Sequence, residues 1–144
     1  MSPSDWSALT QLDSAALQEE LLRLSNDAMS GLSGRAEDDA ASALPEPVRV
    51  MWLINWLDFE IAQGSLLAYF YNSHGRFAVQ AAAALEAIGA PRMAAIVRSA
   101  QAMSGDDQRL EELTDEYWRA ADADDWGPKL DRFLRRSVDQ LAAG

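Results

Sequence analysis

Apolar residues recur at helical spacing through most of the chain, and no stretch alternates with the two-residue period of a strand. The strongest run lies between Pro47 and Gln63, where apolar side chains occupy most sides of the helix. A helix of this kind belongs inside a bundle. Pro47 suits a first helical turn, and Gly64 suits the C-terminal end. We therefore predict an all-α, single-domain bundle of about six or seven helices around the Pro47–Gln63 helix.

The remaining helices are predicted from apolar spacing and from Gly and Pro at their ends. One precedes the central helix, beginning near Asp13 and ending at Gly34. The segment 33–46 is polar and acidic, and we interpret it as a flexible connector, in which a short helical turn is possible, within a single domain that covers residues 1–144. Five more helices follow the central one: Ser65 to Tyr71, Arg76 to Ile88, Ala90 to Met103, one that begins after Asp106, and one that begins at Pro128 after the acidic break ADADDWGP.

The composition excludes several kinds of site. The chain has no Cys and one His, which argues against thiol catalysis and against Cys- or His-rich metal sites. His74 lies in a predicted turn, and we interpret it as an ordinary surface histidine. The acidic start lacks the basic and apolar parts of a secretory signal, and no apolar run approaches the ~20 residues of a membrane span. We expect a cytoplasmic protein that binds no metal, no cofactor and no membrane.

Negative charge is concentrated outside the aromatic-rich middle of the chain. The net charge is −11, yet the segment from Arg49 to Met103 has three acids and four bases. Such a charge repels phosphate backbones, so direct nucleic-acid binding is disfavoured and basic proteins are the expected partners.

Three groups of acidic residues could form a partner-binding surface. Acids three or four apart on a helix lie roughly 5–6 Å from one another, comparable to the few-ångström charge spacing of DNA. A solvated face that serves only solubility would show the same pattern, and the sequence leaves this alternative open. The candidate residues are Glu37, Asp38 and Asp39; Asp106, Asp107, Glu111, Glu112, Asp115 and Glu116; and Asp122, Asp124 and Asp125.

Glu60 is a carboxylate on an apolar side of the central helix, next to the break at Gly64. A carboxylate in that position must be hydrogen-bonded, and the nearest free donors are the backbone N–H groups from Ser65 to Leu67. We predict a structural turn network formed by Glu60, Gly64, Asn72 and Ser73. The alternative is a pocket near Glu60, Tyr69 and Asn72 that serves a small-ligand binder or an enzyme.

Three motifs of the central segment resemble the bacterial DNA-mimic protein family, a helical domain formerly of unknown function. They are LDFEIAQGS from Leu57, YFYNS from Tyr69 and ALEAIGA from Ala84. The chain departs from the family pattern at Gln63-Gly64-Ser65, where Asn-Gly-Gly is usual, and at Ala68, where Gln is common. The resemblance implies an acidic, all-α domain that displays carboxylates in place of phosphates, and it brings no catalytic residues.

We therefore predict an acidic protein-interaction module, a DNA mimic that binds the nucleic-acid-binding face of a basic regulator and is not an enzyme. A helical subunit of a larger assembly is a further alternative, and a homodimer is compatible with the sequence.

Overall fold

The computed structural model describes residues 6–144, except the side chain of Ser73. Every regular element in that range is helical, which confirms the all-α prediction. Nine α-helices and one 3₁₀-helix follow one another along this part of the chain. They are α1 (Trp6–Leu9), α2 (Ser14–Met29), α3 (Gly34–Ala43), α4 (Glu46–Gln63), α5 (Leu66–Tyr71), the 3₁₀-helix (Ser73–Phe77), α6 (Ala78–Ile88), α7 (Pro91–Ala102), α8 (Asp107–Asp124) and α9 (Trp126–Ala143).

Most of the predicted connector forms the helix α3 (Gly34–Ala43), which is longer than the short helical turn that the sequence allowed there. Alanine is the best helix former, and the segment RAEDDAASA is rich in it. Glu37 lies in the first turn, where the helix dipole favours a negative charge. Glu37 and Ala41 lie on the same face four residues apart, and both are buried. The acidic composition of this segment indicated a connector, although the segment forms a helix with one buried face.

Most other boundaries agree with the sequence. The helix α4 begins one residue before Pro47 and ends at Gln63, as its Pro and Gly residues predict. The hydroxyl of Ser65 caps α5 by accepting a hydrogen bond from the Ala68 N–H. The predicted break between the last two helices is much shorter than expected. It is the single residue Asp125, which has a left-handed backbone (φ 48°), and α9 begins at Trp126.

The contacts divide the chain into two compact units, each with its own buried side chains. The first consists of Met1–Trp52 and Asp131–Gly144, described from Trp6 onward. Its core includes Leu17, Leu21, Val48 and Leu134, all fully buried. In the same unit the guanidinium of Arg135 donates to the backbone carbonyls of Thr10 (3.2 Å) and Leu12 (2.5 Å).

The second unit is the continuous segment Leu53–Leu130, which contains α5 to α8. The helix α7 packs against both α6 and α8. Small residues such as Ala81, Ala82 and Ala94 are fully buried, so these helices can approach closely. The helices α4 and α9 each supply residues to both units. The single-domain organisation stays a prediction. None of the helices in residues 6–144 combines the length and the apolar character that a membrane span requires.

Candidate partner-binding surface

The helix α8 is strongly amphipathic. Its inward face carries Leu110, Leu113 and Tyr117, each almost completely buried. Its N-terminus is capped by Asp106, whose Oδ1 accepts a hydrogen bond from the Arg109 N–H at 3.1 Å. Of the acidic residues within α8 that the sequence singled out, all but Asp124 lie outside this inward face.

Four of these acids form a line that we call the acidic row: Asp107, Glu111, Asp115 and Asp122. All four are exposed, and the first three follow one another at intervals of four residues. Four residues correspond to about 6 Å of helix, so the whole row extends over ~22 Å. Trp118 occupies the position in the row between Asp115 and Asp122, and it is 38% exposed.

Two hydrogen bonds hold the first carboxylates of the row. The Tyr71 hydroxyl donates to Asp107 Oδ1 at 2.9 Å, and the Ser65 hydroxyl donates to Glu111 Oε1 at 3.2 Å. The bond to Asp107 raises the pKa of Tyr71, because the nearby carboxylate disfavours a charged phenolate. Both donors flank or lie in α5, which packs against α8. The aromatic segment after Gly64 therefore positions part of the acidic surface.

Glu112 and Glu116 lie outside the acidic row, although the sequence placed them in the same stripe. Arg109 Nη1 is 3.1 Å from Glu112 Oε2 and 3.3 Å from Glu116 Oε2. These three residues share another side of α8, at spacings of three and four. One guanidinium thus offsets part of the charge of two carboxylates, and this side of the helix is less negative than the row.

The other predicted surface acids have different environments. On α3, Asp39 is exposed, Asp38 is half-buried and Glu37 is buried, so Glu37 is not displayed. Asp125 is exposed at the end of α8, whereas Asp124 is only 1% exposed.

Asp124 is a cap for another helix. Its Oδ2 accepts a hydrogen bond from the Met93 N–H at 2.9 Å, and its Oδ1 lies 3.4 Å from Arg92 Nη1. The helix α7 needs such a partner because the residue at its own N-cap position is Ala90, which has no side-chain acceptor. The surface role predicted for Asp124 is therefore replaced by a structural one.

The predicted partners of Glu60 are also wrong. Thr114 Oγ1 accepts the hydrogen bond from the Leu66 N–H at 3.0 Å, and Ser65 Oγ accepts the one from the Ala68 N–H at 3.3 Å. Glu60 instead faces His74, with Oε1 3.2 Å from Nδ1. Its Oε2 is buried and has no hydrogen-bond partner among the described residues.

His74 is not an ordinary surface histidine. Its ring stacks on Trp56 with 4.3 Å between centroids and 5° between planes. It lies in the 3₁₀-helix that follows α5. The next residue must be glycine, because a Cβ on Gly75 would be 2.5 Å from the Tyr69 carbonyl oxygen.

The other members of the predicted turn network make backbone hydrogen bonds. The Gly64 N–H donates to the Glu60 carbonyl at the end of α4, and the Asn72 carbonyl accepts a hydrogen bond from the Gly75 N–H. The Ser73 side chain lies outside the described residues.

No cluster of three or more His, Asp or Glu side chains in residues 6–144 could hold a metal ion. Asp58 and Glu60 are two residues apart on α4, so they point to different sides of the helix and do not form a facing pair. Asp58 Oδ1 accepts a hydrogen bond from the Tyr117 hydroxyl at 3.2 Å, on another side of α4 from His74.

Replacing Thr114 by valine should lower the free energy of unfolding by about 1–2 kcal/mol. Valine matches threonine in shape but cannot accept the hydrogen bond of the buried Leu66 N–H. Urea unfolding followed by circular dichroism measures the difference. Thr114→Ser keeps the hydroxyl and is the control. A Thr114→Val protein as stable as the native chain would mean that this hydrogen bond makes no net contribution to stability.

Asp58 should make stability depend on pH. Burial raises the pKa of its carboxyl, and the Tyr117 hydrogen bond opposes the shift. Because the folded state favours the protonated form, this contribution is full at low pH and is lost as pH rises through the raised pKa. Asp58→Asn should therefore be more stable than the native chain at pH 7, by less than about 1 kcal/mol because the group is half-exposed, and equally stable near pH 3. A difference that is the same at both pH values, measured by urea unfolding, would contradict this.

Comparison with known proteins adds one finding to this geometry. The family model described as DMP19-like protein matches residues 42–139, which include α4 to α8, most of α9 and the whole acidic row. No curated protein and no solved structure matches the chain. The match covers more than half of the sequence and includes all three motifs that resemble the DNA-mimic family. The chain therefore belongs to the DMP19-like family of DNA-mimic proteins.

Proposed function

We propose that this protein binds the DNA-binding face of a basic protein through the acidic row of α8, and that it acts by occupying that face and not by catalysis. The observation that carries the proposal is the line of exposed carboxylates, of which the first two are held by Tyr71 and Ser65. A carboxylate fixed in this way loses less side-chain entropy when a partner binds.

Charge density alone does not make the row equivalent to DNA. Duplex DNA carries one charge per ~1.7 Å of its axis, or about 13 over ~22 Å, whereas the row presents four over that length. Competition with DNA therefore requires favourable contacts besides charge. Trp118 supplies one, because an exposed indole can receive an arginine or lysine side chain by a cation–π contact. The partner class that fits is a DNA-binding protein whose basic face carries arginine beside its phosphate-contacting residues.

The test begins with partners captured from the native host on the immobilised protein and eluted with duplex DNA. Each DNA-binding protein found is then purified and mixed with its labelled duplex. We expect the acidic protein to displace the DNA in proportion to its concentration. Its affinity for the partner should fall steeply as salt rises, since Debye screening acts over ~10 Å at 0.1 M. Simultaneous binding of DNA and the acidic protein by the same partner would exclude mimicry.

A further inference from the structure

The exposed face of α9 contains an open groove of about 560 Å³, within the first unit. The residues that line it lie on this helix between Asp131 and Ala143, a length of ~18 Å. Three of them are arginines, in a chain whose net charge is −11. The charged and polar lining residues are Asp131, Arg132, Arg135, Arg136, Asp139 and Gln140.

Arg132 and Arg136 are exposed and lie four residues apart, so they are neighbours on the helix surface. Within residues 6–144, neither makes an ion pair or a hydrogen bond. Several other arginines do have carboxylate partners, for example Arg98 with Glu86 at 2.9 Å. Two adjacent guanidinium groups without such partners can receive carboxylates from another molecule in bidentate fashion.

Two further features distinguish the groove from a pair of surface arginines. Arg135 is held by the carbonyls of Thr10 and Leu12, so its positive charge has a fixed position. Asp131 also lines the groove, and its Oδ1 is buried without a hydrogen-bond partner in the part of the chain that the structure describes. A buried carboxylate oxygen needs a donor, and an anion alone cannot provide one.

We propose that the α9 groove binds an extended acidic segment of a partner protein. Carboxylate side chains of the segment pair with Arg132 and Arg136. The partly exposed side chain of Asp131 rotates so that its Oδ1 enters the groove, where a backbone N–H of the segment donates to it. At ~3.3 Å per residue, a groove of ~18 Å accommodates about five residues of extended chain. A compact anion such as phosphate would satisfy the arginines but would leave Asp131 Oδ1 without a donor. This site is independent of the acidic row, so either can fail while the other holds.

The overall negative charge does not prevent such binding. Repulsion between exposed charges is largely screened beyond ~8 Å at physiological salt, so contacts inside the groove decide the affinity. The expected partner is a protein with an acidic, extended tail or loop. This chemistry is opposite to that of the basic partner proposed for α8.

The probe is a fluorescent, end-blocked peptide of five residues in which glutamate alternates with alanine, titrated with the full chain and followed by anisotropy. We expect saturable binding, at least tenfold weaker binding of the glutamine counterpart, and at least tenfold weaker binding by R132Q/R136Q. The control R35Q/R119Q removes the same charge at two other exposed arginines and should change affinity less than twofold. Equal losses in both double variants, or no saturable binding, would overturn the proposal.

Replacing Asp131 tests the proposed hydrogen bond, because charge and hydrogen bonding predict opposite changes in the affinity for the acidic peptide. Asp131→Leu removes a negative charge, so attraction by charge alone predicts tighter binding of the acidic peptide. The proposed hydrogen bond predicts binding weaker by severalfold, because leucine accepts nothing. Asp131→Ala serves if the leucine variant does not fold by circular dichroism. Tighter or unchanged binding would overturn the proposal, as would phosphate or a single-stranded oligonucleotide binding as well as the peptide.

Discussion

Neutralising three carboxylates of the acidic row, in D107N/E111Q/D115N, should weaken binding of the basic partner by about 100-fold. Each of these exposed groups is expected to contribute about 1 kcal/mol to the interface, and a 1.4 kcal/mol loss is tenfold in affinity. Each charge contact removed should also lower the slope of log affinity against log salt by about one, hence by about three in total. Isothermal calorimetry at several salt concentrations measures both quantities.

The matched control removes three acids elsewhere and keeps the same net charge as the row variant. We choose E19Q/D27N/E86Q, because these residues are exposed and lie outside both proposed binding sites. Arg23, which pairs with Asp27, keeps Glu20 as a second partner. Asp13 is unsuitable because it caps α2 through the Ala16 N–H. The control should lose less than about fivefold. If both variants lose affinity equally, only total charge matters and the acidic row has no special role.

Asp124→Ala should differ from the acidic-row variant: we expect a large loss of stability and little loss of partner affinity in the protein that remains folded. The substitution leaves the Met93 N–H of α7 without its acceptor, and Ala90 cannot replace it. Loss of a helix cap together with a buried unpaired donor predicts a decrease of about 2–4 kcal/mol in the free energy of unfolding.

The control is Asp122→Ala, two residues away on the exposed side of the same helix. We expect a change below about 0.5 kcal/mol, because surface substitutions without a cap or pairing role have small effects. Urea unfolding measures stability, and calorimetry at low temperature measures affinity. A stable Asp124→Ala protein with weakened binding would return Asp124 to the partner-binding surface.

Whether an interaction could be predicted from the sequence depends on how far apart its residues lie along the chain. The ends of α4 and α7 were predictable because Pro and Gly act locally on their own backbone. The hydrogen bond from Leu66 to Thr114 joins residues 48 apart, and the one from Met93 to Asp124 joins residues 31 apart. Local spacing contains no information about such pairs. The acids therefore looked alike in sequence, although one is a buried cap and others are exposed.

In the acidic row, too, features that depend on local spacing were predictable and features that depend on distant contacts were not. The spacing of Asp107, Glu111 and Asp115 was enough to place them on one side of a helix. The separation of Glu112 and Glu116 by Arg109 could also be read from spacings of three and seven residues, and it was missed because acids were counted without their basic neighbour. The roles of Tyr71 and Ser65 could not be read, since they depend on how α5 packs against α8.

The division of the chain into a continuous and a discontinuous unit has a consequence for biosynthesis. Leu53–Leu130 emerges from the ribosome as one stretch and has all its own residues when Leu130 has been made. The other unit is interrupted, and its Arg135 binds a carbonyl 125 residues earlier in the chain. At the usual ~5–20 residues per second, translation separates these two partners by about 6–25 seconds. During that interval Thr10 and Leu12 are without the guanidinium that holds them in the finished protein, and the unit that carries the acidic row is synthesised in full before Arg135 is added.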